Sequence, residues 1–352
     1  MKPPSKRKIP YAIQPPLRDY LGEYSREIVF PLEYAKLTQF TDGYPLHDAE
    51  GRDTNWTTVM FDDSSRSEIN EALRYIYVLL KANGDTSVME HLLVSRIDYC
   101  EFGNSKPFRV RIVNAYNDNQ DYFYVKRADA SRVLGLELEH LLSPNRMHFL
   151  VQGDTLIEEH VVGIPGDMFM HSHLQHPGYK EVRIAKEFVK FNERCFIRLL
   201  GDMRSYNFVI DITPDFEEVQ YRIRPMDFDQ QCYDGRLKFY KPQYFTENNE
   251  LIKFGIKYMD RASSRQYQLE ERAQMQLRMR VERERLNNLM DSVVMEPLAP
   301  PEKIVQLREE LAAWYKEPAF DDCETMGELL HTSLLLVQEG QLTESWEGRG
   351  ST

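Results

Sequence analysis

The stretch that decides the fold runs from Leu199 to Gln230 and reads LLGDMRSYNFVIDITPDFEEVQYRIRPMDFDQ. Its first part places Asp202 five residues before Asn207, and its last part carries Asp227 in an Asp-Phe-Asp sequence. Two apolar runs with the composition of β-strands lie between them and predict a hairpin that brings these side chains together. A carboxylate that orients a hydroxyl, beside an amide and a second carboxylate that hold metal, is the arrangement that phosphoryl transfer uses.

The composition of the chain narrows its class. The 352 residues are 42% hydrophobic and 28% charged, which predicts a globular protein with room for two lobes. The 44 basic and 56 acidic residues give a net charge of −12, which argues against broad neutralisation of nucleic-acid phosphates. We therefore expect no nucleic-acid partner.

The cysteines and the apolar runs bear on the cellular compartment. No CxxC pair is present, so we expect free thiols, as in a reducing compartment. No apolar run approaches the roughly 18 residues of a membrane-spanning helix. The basic N-terminal stretch also lacks the apolar segment of a secretory signal. These features predict a cytoplasmic protein with no membrane partner.

The apolar patterns divide the chain into four parts. Residues 1–88 read as an N-terminal extension with an arm, a mixed segment and one helix. Residues 89–162 contain three strand-like runs, a helix and two further strands, as in an antiparallel sheet. Residues 163–292 open on a Pro/Gly hinge and are mainly helical apart from the hairpin, and residues 293–352 hold two short helices and a polar tail. We therefore expect an α+β fold.

Beside this layout, the opening stretch resembles the protein-kinase-like superfamily. The likeness is greatest to its aminoglycoside-phosphotransferase, choline-kinase and HipA-like branches, whose catalytic loop reads roughly H-G-D-x-x-x-x-N and is followed by I-D-[FW]-[DEG]. This chain has Gly201-Asp202 with Asn207 at the matching spacing, and Met226-Asp227-Phe228-Asp229 after the hairpin. The resemblance covers about residues 89–260.

The resemblance implies a two-lobed kinase-like fold and an ATP- and Mg²⁺-dependent phosphotransferase. The antiparallel sheet with its helix would form the N-lobe, and the helical part would form the C-lobe. Asp202 would be the catalytic carboxylate, Arg204 would lie near the transferred phosphate, and Asn207 and Asp227 would bind Mg²⁺. The phosphate acceptor would be a hydroxyl group of a small molecule or of a protein.

The resemblance also assigns a nucleotide site in the sheet part. Lys126, at the end of the third strand, is similar to the strand lysine that contacts nucleotide phosphates. Glu137 or Glu139 on the next helix would fix it; they lie about 200° apart around a helix, so only one can face the lysine, and we favour Glu137. The backbone of the segment that includes Glu159 and His160 would pair with adenine between the lobes.

Two departures from the family's pattern support other hypotheses. Leu200 stands where the loop histidine would be, and the first two strands are not joined by a GxGxxG loop. A pseudokinase or nucleotide-sensing scaffold is therefore the alternative, and a plain interaction protein with an unrelated α+β fold is a third hypothesis. A scaffold would work through a protein partner or self-association at the charged helix 264–290. We expect that helix to pack on the C-lobe rather than form a coiled coil. Its apolar residues are Leu269, Ala273, Leu277 and Val281 at four-residue steps, then Leu286 and Leu289.

Overall fold

A computed structural model describes residues 8–82, 84–174, 179–214 and 219–340. The chain has an α+β fold with an antiparallel β-sheet and many helices. Its contacts divide it into two compact units. Unit 1 comprises Met1–Asp129 and Met147–His160, and unit 2 comprises Ala130–Arg146 and Val161–Thr352.

Unit 1 is built on a seven-stranded antiparallel sheet in the order β1-β2-β3-β4-β5-β7-β6. The strands are β1 (Asp42–His47), β2 (Asp53–Met60), β3 (Leu92–Tyr99), β4 (Phe108–Asn114), β5 (Gln120–Arg127), β6 (Phe149–Gln152) and β7 (Thr155–Glu159). The five strands predicted between residues 89 and 162 are confirmed. The short strand β7 lies inside the sheet, between β5 and β6.

One face of this sheet carries the core of unit 1. Within the described residues the unit has three α-helices: α1 (Pro15–Glu23), α2 (Tyr34–Leu37) and α3 (Asp63–Lys81). The apolar side of α3 joins Phe123 and Val125 of β5 in one buried cluster. Because side chains alternate along a strand, Tyr124 and Lys126 lie on the opposite face of the sheet.

The predicted N-terminal extension is part of this unit. Strand β2 pairs with β3 in the register Thr57 to Tyr99 and Thr58 to Asp98, so the hairpin β1–β2 extends the sheet. The sequence-based boundary at residue 88 therefore separates no compact unit. Strand β1 is almost entirely exposed, so it lacks the alternation of apolar and polar residues that marks a strand in sequence.

Unit 2 is mainly helical. Its helices are α4 (Ala130–Leu142), α5 (Gly166–Met168), α6 (Glu181–Ile197), α7 (Asn249–Tyr258), α8 (Arg261–Val281), α9 (Arg283–Val293), α10 (Pro301–Tyr315) and α11 (Met326–Gln338). A three-stranded sheet in the order β10-β9-β8 contains β8 (Ile164–Pro165), β9 (Phe208–Pro214) and β10 (Val219–Pro225). The predicted hairpin is β9–β10, although residues 215–218 of its loop lie outside the described residues.

Helix α4, predicted as the helix of the sheet part, is grouped with unit 2. Its two carboxylates, Glu137 and Glu139, are 0% and 1% exposed. Glu137 accepts hydrogen bonds from Arg285 on α9, and Glu139 forms an ion pair with Arg198 at the end of α6. Buried carboxylates require such partners, so these ion pairs hold α4 in unit 2.

Two residues of the predicted hinge at residues 163–166 form the short strand β8, and Gly166 begins α5. Ile164 and Pro165 pair with Ile210 and Val209 of β9. A Cβ atom on Gly166 would lie 2.6 Å from the carbonyl oxygen of Ser205, so the backbone there packs directly on the loop before β9. The Pro/Gly sequence thus reflects close packing.

The charged helix predicted for residues 264–290 consists of α8 and α9, which meet at Glu282. It packs within unit 2, and the predicted apolar residues Leu286 and Leu289 are buried. The earlier part of the predicted stripe does not pack: Leu269, Leu277 and Val281 are 46%, 53% and 72% exposed. The buried residues of α8 are Glu271, Met275 and Met279. Ion pairs from Glu271 to Arg194 and from Arg272 to Glu193, both on α6, orient the helix in this way.

The cysteines and the helices can be compared with the sequence directly. All four cysteines carry free thiols. Within the described ranges, no helix combines the length and the apolar character that crossing a bilayer requires.

Candidate active site

The loop between α6 and β9 is fixed by backbone hydrogen bonds on both sides. Gly201 N donates to the carbonyl of Gln230 at 3.2 Å, and Asp202 N donates to the carbonyl of Phe239 at 3.1 Å. A Cβ atom on Gly201 would lie 2.9 Å from the Phe239 ring, so this approach needs glycine. Asp202 has φ of +59°, a left-handed conformation that aspartate tolerates better than most residues.

Asn207 lies beside Asp202. Its Nδ2 donates to the backbone carbonyl of Asp202 at 2.7 Å and lies 3.5 Å from the carboxylate oxygen Oδ2. The turn Ser205–Asn207 places the amide there. Because Nδ2 is used in this way, Oδ1 is the atom that the Asn207 amide can offer to a ligand.

The Asp227 loop adjoins this site. The hairpin register pairs Phe208 with Pro225, and Met226 N donates to the Asn207 carbonyl at 3.0 Å, so Asn207 and Asp227 leave the hairpin at the same end. Asp227 Oδ1 accepts a hydrogen bond from the N–H of Asp229 at 3.0 Å. Two neighbouring loops of unit 2 therefore carry the three side chains that the sequence singled out.

Arg204 binds the carboxylate of Asp202. Its Nε donates to Asp202 Oδ1 at 2.7 Å, and its Nη1 donates to Glu247 at 2.5 Å. Burial raises the pKa of Asp202, the bond and charge of Arg204 lower it, and the charges of Glu247 and Asp229 raise it again, with the net shift upward. The Arg204 guanidinium, expected near the transferred phosphate, is thus directed at the proposed catalytic carboxylate.

In unit 1, Lys126 has a carboxylate partner that the sequence analysis missed. Its Nζ donates to Glu158 Oε2 at 2.6 Å, and the two residues are 7% and 3% exposed. On β7, Glu158 lies opposite Tyr124 of β5 and diagonally across from Lys126. Glu137, the partner favoured from the sequence, accepts hydrogen bonds from Arg285 in unit 2. The β5–β7 pairing was the signal that could have identified Glu158.

The expected adenine segment is largely a strand. Glu159 ends β7, and its N–H already donates to the carbonyl of His148 at 3.1 Å. Its carboxylate accepts from Lys81 at 2.9 Å and from the His148 N–H at 2.7 Å. His160, the last residue of unit 1, lies with Nδ1 3.2 Å from the hydroxyl of Tyr124.

The donor set fits a metal that is shared with a substrate. Among the described residues, no three or more His, Cys, Asp or Glu side chains are grouped to hold a metal by themselves. Mg²⁺ commonly takes only one or two protein ligands and completes its octahedron with phosphate oxygens and water. Asn207 Oδ1 and the Asp227 carboxylate are oxygen donors of that kind.

Comparison with known proteins gives no family to set beside this geometry. No family model matches the chain, and no curated protein shows significant similarity to it. The function is therefore inferred from the arrangement of the residues alone.

Proposed function

We propose that this chain is an ATP- and Mg²⁺-dependent phosphotransferase with a two-lobed, protein-kinase-like fold. The observation that carries the proposal is the pairing of the two loops, with the Asn207 amide fixed on Asp202 and Asp227 leaving the same end of the hairpin. In this proposal unit 1 serves as the N-lobe and unit 2 as the C-lobe.

Asp202 has the role of orienting the acceptor hydroxyl and taking its proton. The raised pKa of this carboxyl makes it a better base than an exposed aspartate. Asn207 and Asp227 would hold Mg²⁺. The metal would neutralise charge on the phosphates, which the carboxylates of Asp202 and Asp227 would otherwise repel. Arg204 fixes the rotamer of Asp202 through its 2.7 Å bond. Positioning and charge compensation supply most of the rate in such a site.

Lys126 has the role of contacting the nucleotide phosphates. Glu158, rather than Glu137, orients its ammonium group, because an ion pair within a sheet restricts both side chains. Loss of ATP affinity on substitution of Lys126 would support this role.

The direct test is transfer of labelled γ-phosphate from ATP. The full chain is incubated with Mg²⁺ and labelled ATP, and phosphate is followed into water, into the protein itself and into hydroxyl-bearing small molecules. We expect transfer or hydrolysis by the parent protein, and a loss of at least about 100-fold in Asp202→Asn with ATP affinity retained. A parent protein that moves no phosphate, or a variant that works at the parental rate, would overturn the proposal.

A scaffold that senses nucleotide is the second candidate, and one observation favours it. The exposed stripe of α8 presents Leu269, Leu277 and Val281 to solvent, beside the exposed Arg265 and Arg280. A contiguous apolar stripe of this kind is typical of interaction surfaces. Its partner would be a protein with an apolar face and acidic flanks. In this case Leu277→Lys would abolish partner binding or self-association, measured by light scattering, while nucleotide binding stayed unchanged.

A further inference from the structure

A buried ion pair connects α4 to the Asp227 loop. Arg132 and Asp229 are 3% and 4% exposed, and Arg132 Nε donates to Asp229 Oδ1 at 2.6 Å. A second nitrogen of the guanidinium, Nη2, pairs with the same oxygen, Oδ1. Charge-assisted contacts of this kind are stronger than hydrogen bonds between neutral groups.

The same face of α4 makes two further contacts with the site. Arg132, Gly135 and Glu139 lie three and four residues apart, and so share one side of the helix. A Cβ atom on Gly135 would lie 2.9 Å from Cβ of Phe228 and 3.2 Å from Cβ of Gln231, so the helix backbone rests directly on the Asp227 loop. Glu139 pairs with Arg198, just before the Asp202 loop.

Asp229 and the next residue connect α4 to the Asp227 loop and to the Asp202 loop. Its N–H donates to Asp227 Oδ1 at 3.0 Å. The next residue, Gln230, accepts from the N–H of Gly201 at 3.2 Å, directly before Asp202. A displacement of Asp229 would therefore move Asp227 and disturb the Asp202 loop.

We propose, on the basis of the function proposed above, that Asp229 is a positioning residue for Asp227, held by Arg132, and is not itself a metal ligand. A buried carboxylate whose charge is compensated by a guanidinium is stable where it is. Recruiting that carboxylate to a metal would break its buried ion pair with Arg132. In this proposal, α4 fixes the position of the Asp227 loop through the ion pair of Arg132 with Asp229.

The test is a double-mutant cycle on the full chain with Arg132→Met, Asp229→Asn and the combined variant. The quantity measured is the Mg²⁺ concentration that gives half of the maximal ATP binding. We expect each single variant to raise this Mg²⁺ concentration about tenfold. The combined variant should raise it no further, because both changes break the same ion pair. ATP binding without Mg²⁺ should change little.

Two results would overturn the role of the pair. A metal ligand at residue 229 predicts that Asp229→Asn raises the Mg²⁺ requirement whereas Arg132→Met leaves it unchanged or lowers it. Independent contributions predict that the two effects multiply in the combined variant.

A second measurement separates this inference from the proposed function. Hydrogen exchange of the segment 226–231 should accelerate in Arg132→Met, and should stay at the parental rate in Glu137→Gln, which breaks another buried ion pair of the same helix. If the parent protein shows no Mg²⁺-dependent binding of ATP, the proposed function fails. The positioning role then stands on the exchange rates, and equal exchange in both variants would overturn it.

Discussion

Lys126 and Glu158 form an ion pair across strands β5 and β7, with Nζ and Oε2 2.6 Å apart and both side chains nearly buried. Removing one partner leaves a buried charge, at a cost of about 3–5 kcal/mol. We expect Glu158→Met to lower the free energy of unfolding by about that amount and to weaken ATP binding. Denaturant unfolding and calorimetric titration measure the two effects.

Two controls accompany this prediction. Lys126→Met combined with Glu158→Met removes both charges and should regain most of the stability but not the ATP affinity. Glu137→Gln should reduce stability through loss of its bond to Arg285, with ATP binding unchanged. Loss of ATP binding in Glu137→Gln alone would instead support the pairing first expected from the sequence.

The bond from Arg204 to Asp202 predicts a shift in pH dependence. Arg204 lowers the pKa of Asp202 against the raising effect of burial. Arg204→Met should therefore raise that pKa further and move the acid limb of the pH–rate profile to higher pH, because the proposed base must be ionised to act.

Glu247→Gln is the matched control for this experiment. It removes a negative charge that raises the pKa of Asp202, so its acid limb should move to lower pH. Shifts of the same sign in the two variants would contradict the assignment of Asp202 as the base.

The contact of Gly135 with Phe228 predicts a steric effect. A Cβ atom at residue 135 would lie 2.9 Å from Cβ of Phe228, which is closer than packed atoms tolerate. Gly135→Ala should destabilise the protein by about 1–3 kcal/mol and weaken Mg²⁺-dependent ATP binding.

Gly255→Ala on α7 supplies the comparison. It meets no atom within 4 Å and should be neutral or slightly stabilising, since alanine favours helix. Thermal unfolding of both variants checks the prediction, and equal melting temperatures would contradict it.

Lys241 predicts a pH-dependent stability. It is 3% exposed, with Nζ 3.0 Å from the centroid of the Trp314 ring, and burial lowers its pKa to about 7. In the unfolded chain, Lys241 stays protonated up to a pH of about 10.5. The free-energy penalty of burying this charged group therefore applies in full below pH 7 and fades as the pH rises to 10.5.

Lys241→Met should therefore stabilise the protein by a few kcal/mol at pH 6 and progressively less toward pH 10. The free energy of unfolding is measured against pH for the variant and the parent. The exposed Lys238→Met should show no such trend. A difference between Lys241→Met and the parent that does not depend on pH would refute the prediction.

Local patterns predicted the strands, the hairpin and helix α3 because their signals lie within a few residues. The partners of buried charges were not accessible in this way. Strand pairing brings Lys126 into contact with Glu158. Helix packing brings Glu137 into contact with Arg285, which lies 148 residues away in the sequence. Neither sequence spacing nor propensity encodes such contacts.

Helix α8 is a second case in which long-range contacts, and not the local pattern, determine the structure. The periodicity of Leu269, Leu277 and Val281 predicts a packed face, yet ion pairs to α6 turn Met275 and Met279 inward instead. Buried ion pairs of α6 thus decided an orientation that apolar periodicity alone assigns differently. In the hairpin, by contrast, the apolar pattern agrees with the observed pairing of β9 and β10.

Calorimetric titration of ATP into the full chain, with Mg²⁺ present and with Mg²⁺ chelated, tests the central claim most directly. We expect Mg²⁺ to strengthen ATP binding to the parent protein, and Asp227→Ala to lose that enhancement while its thermal unfolding stays close to parental. Equal affinity with and without Mg²⁺ in the parent, or a full enhancement in Asp227→Ala, would contradict the proposed metal site.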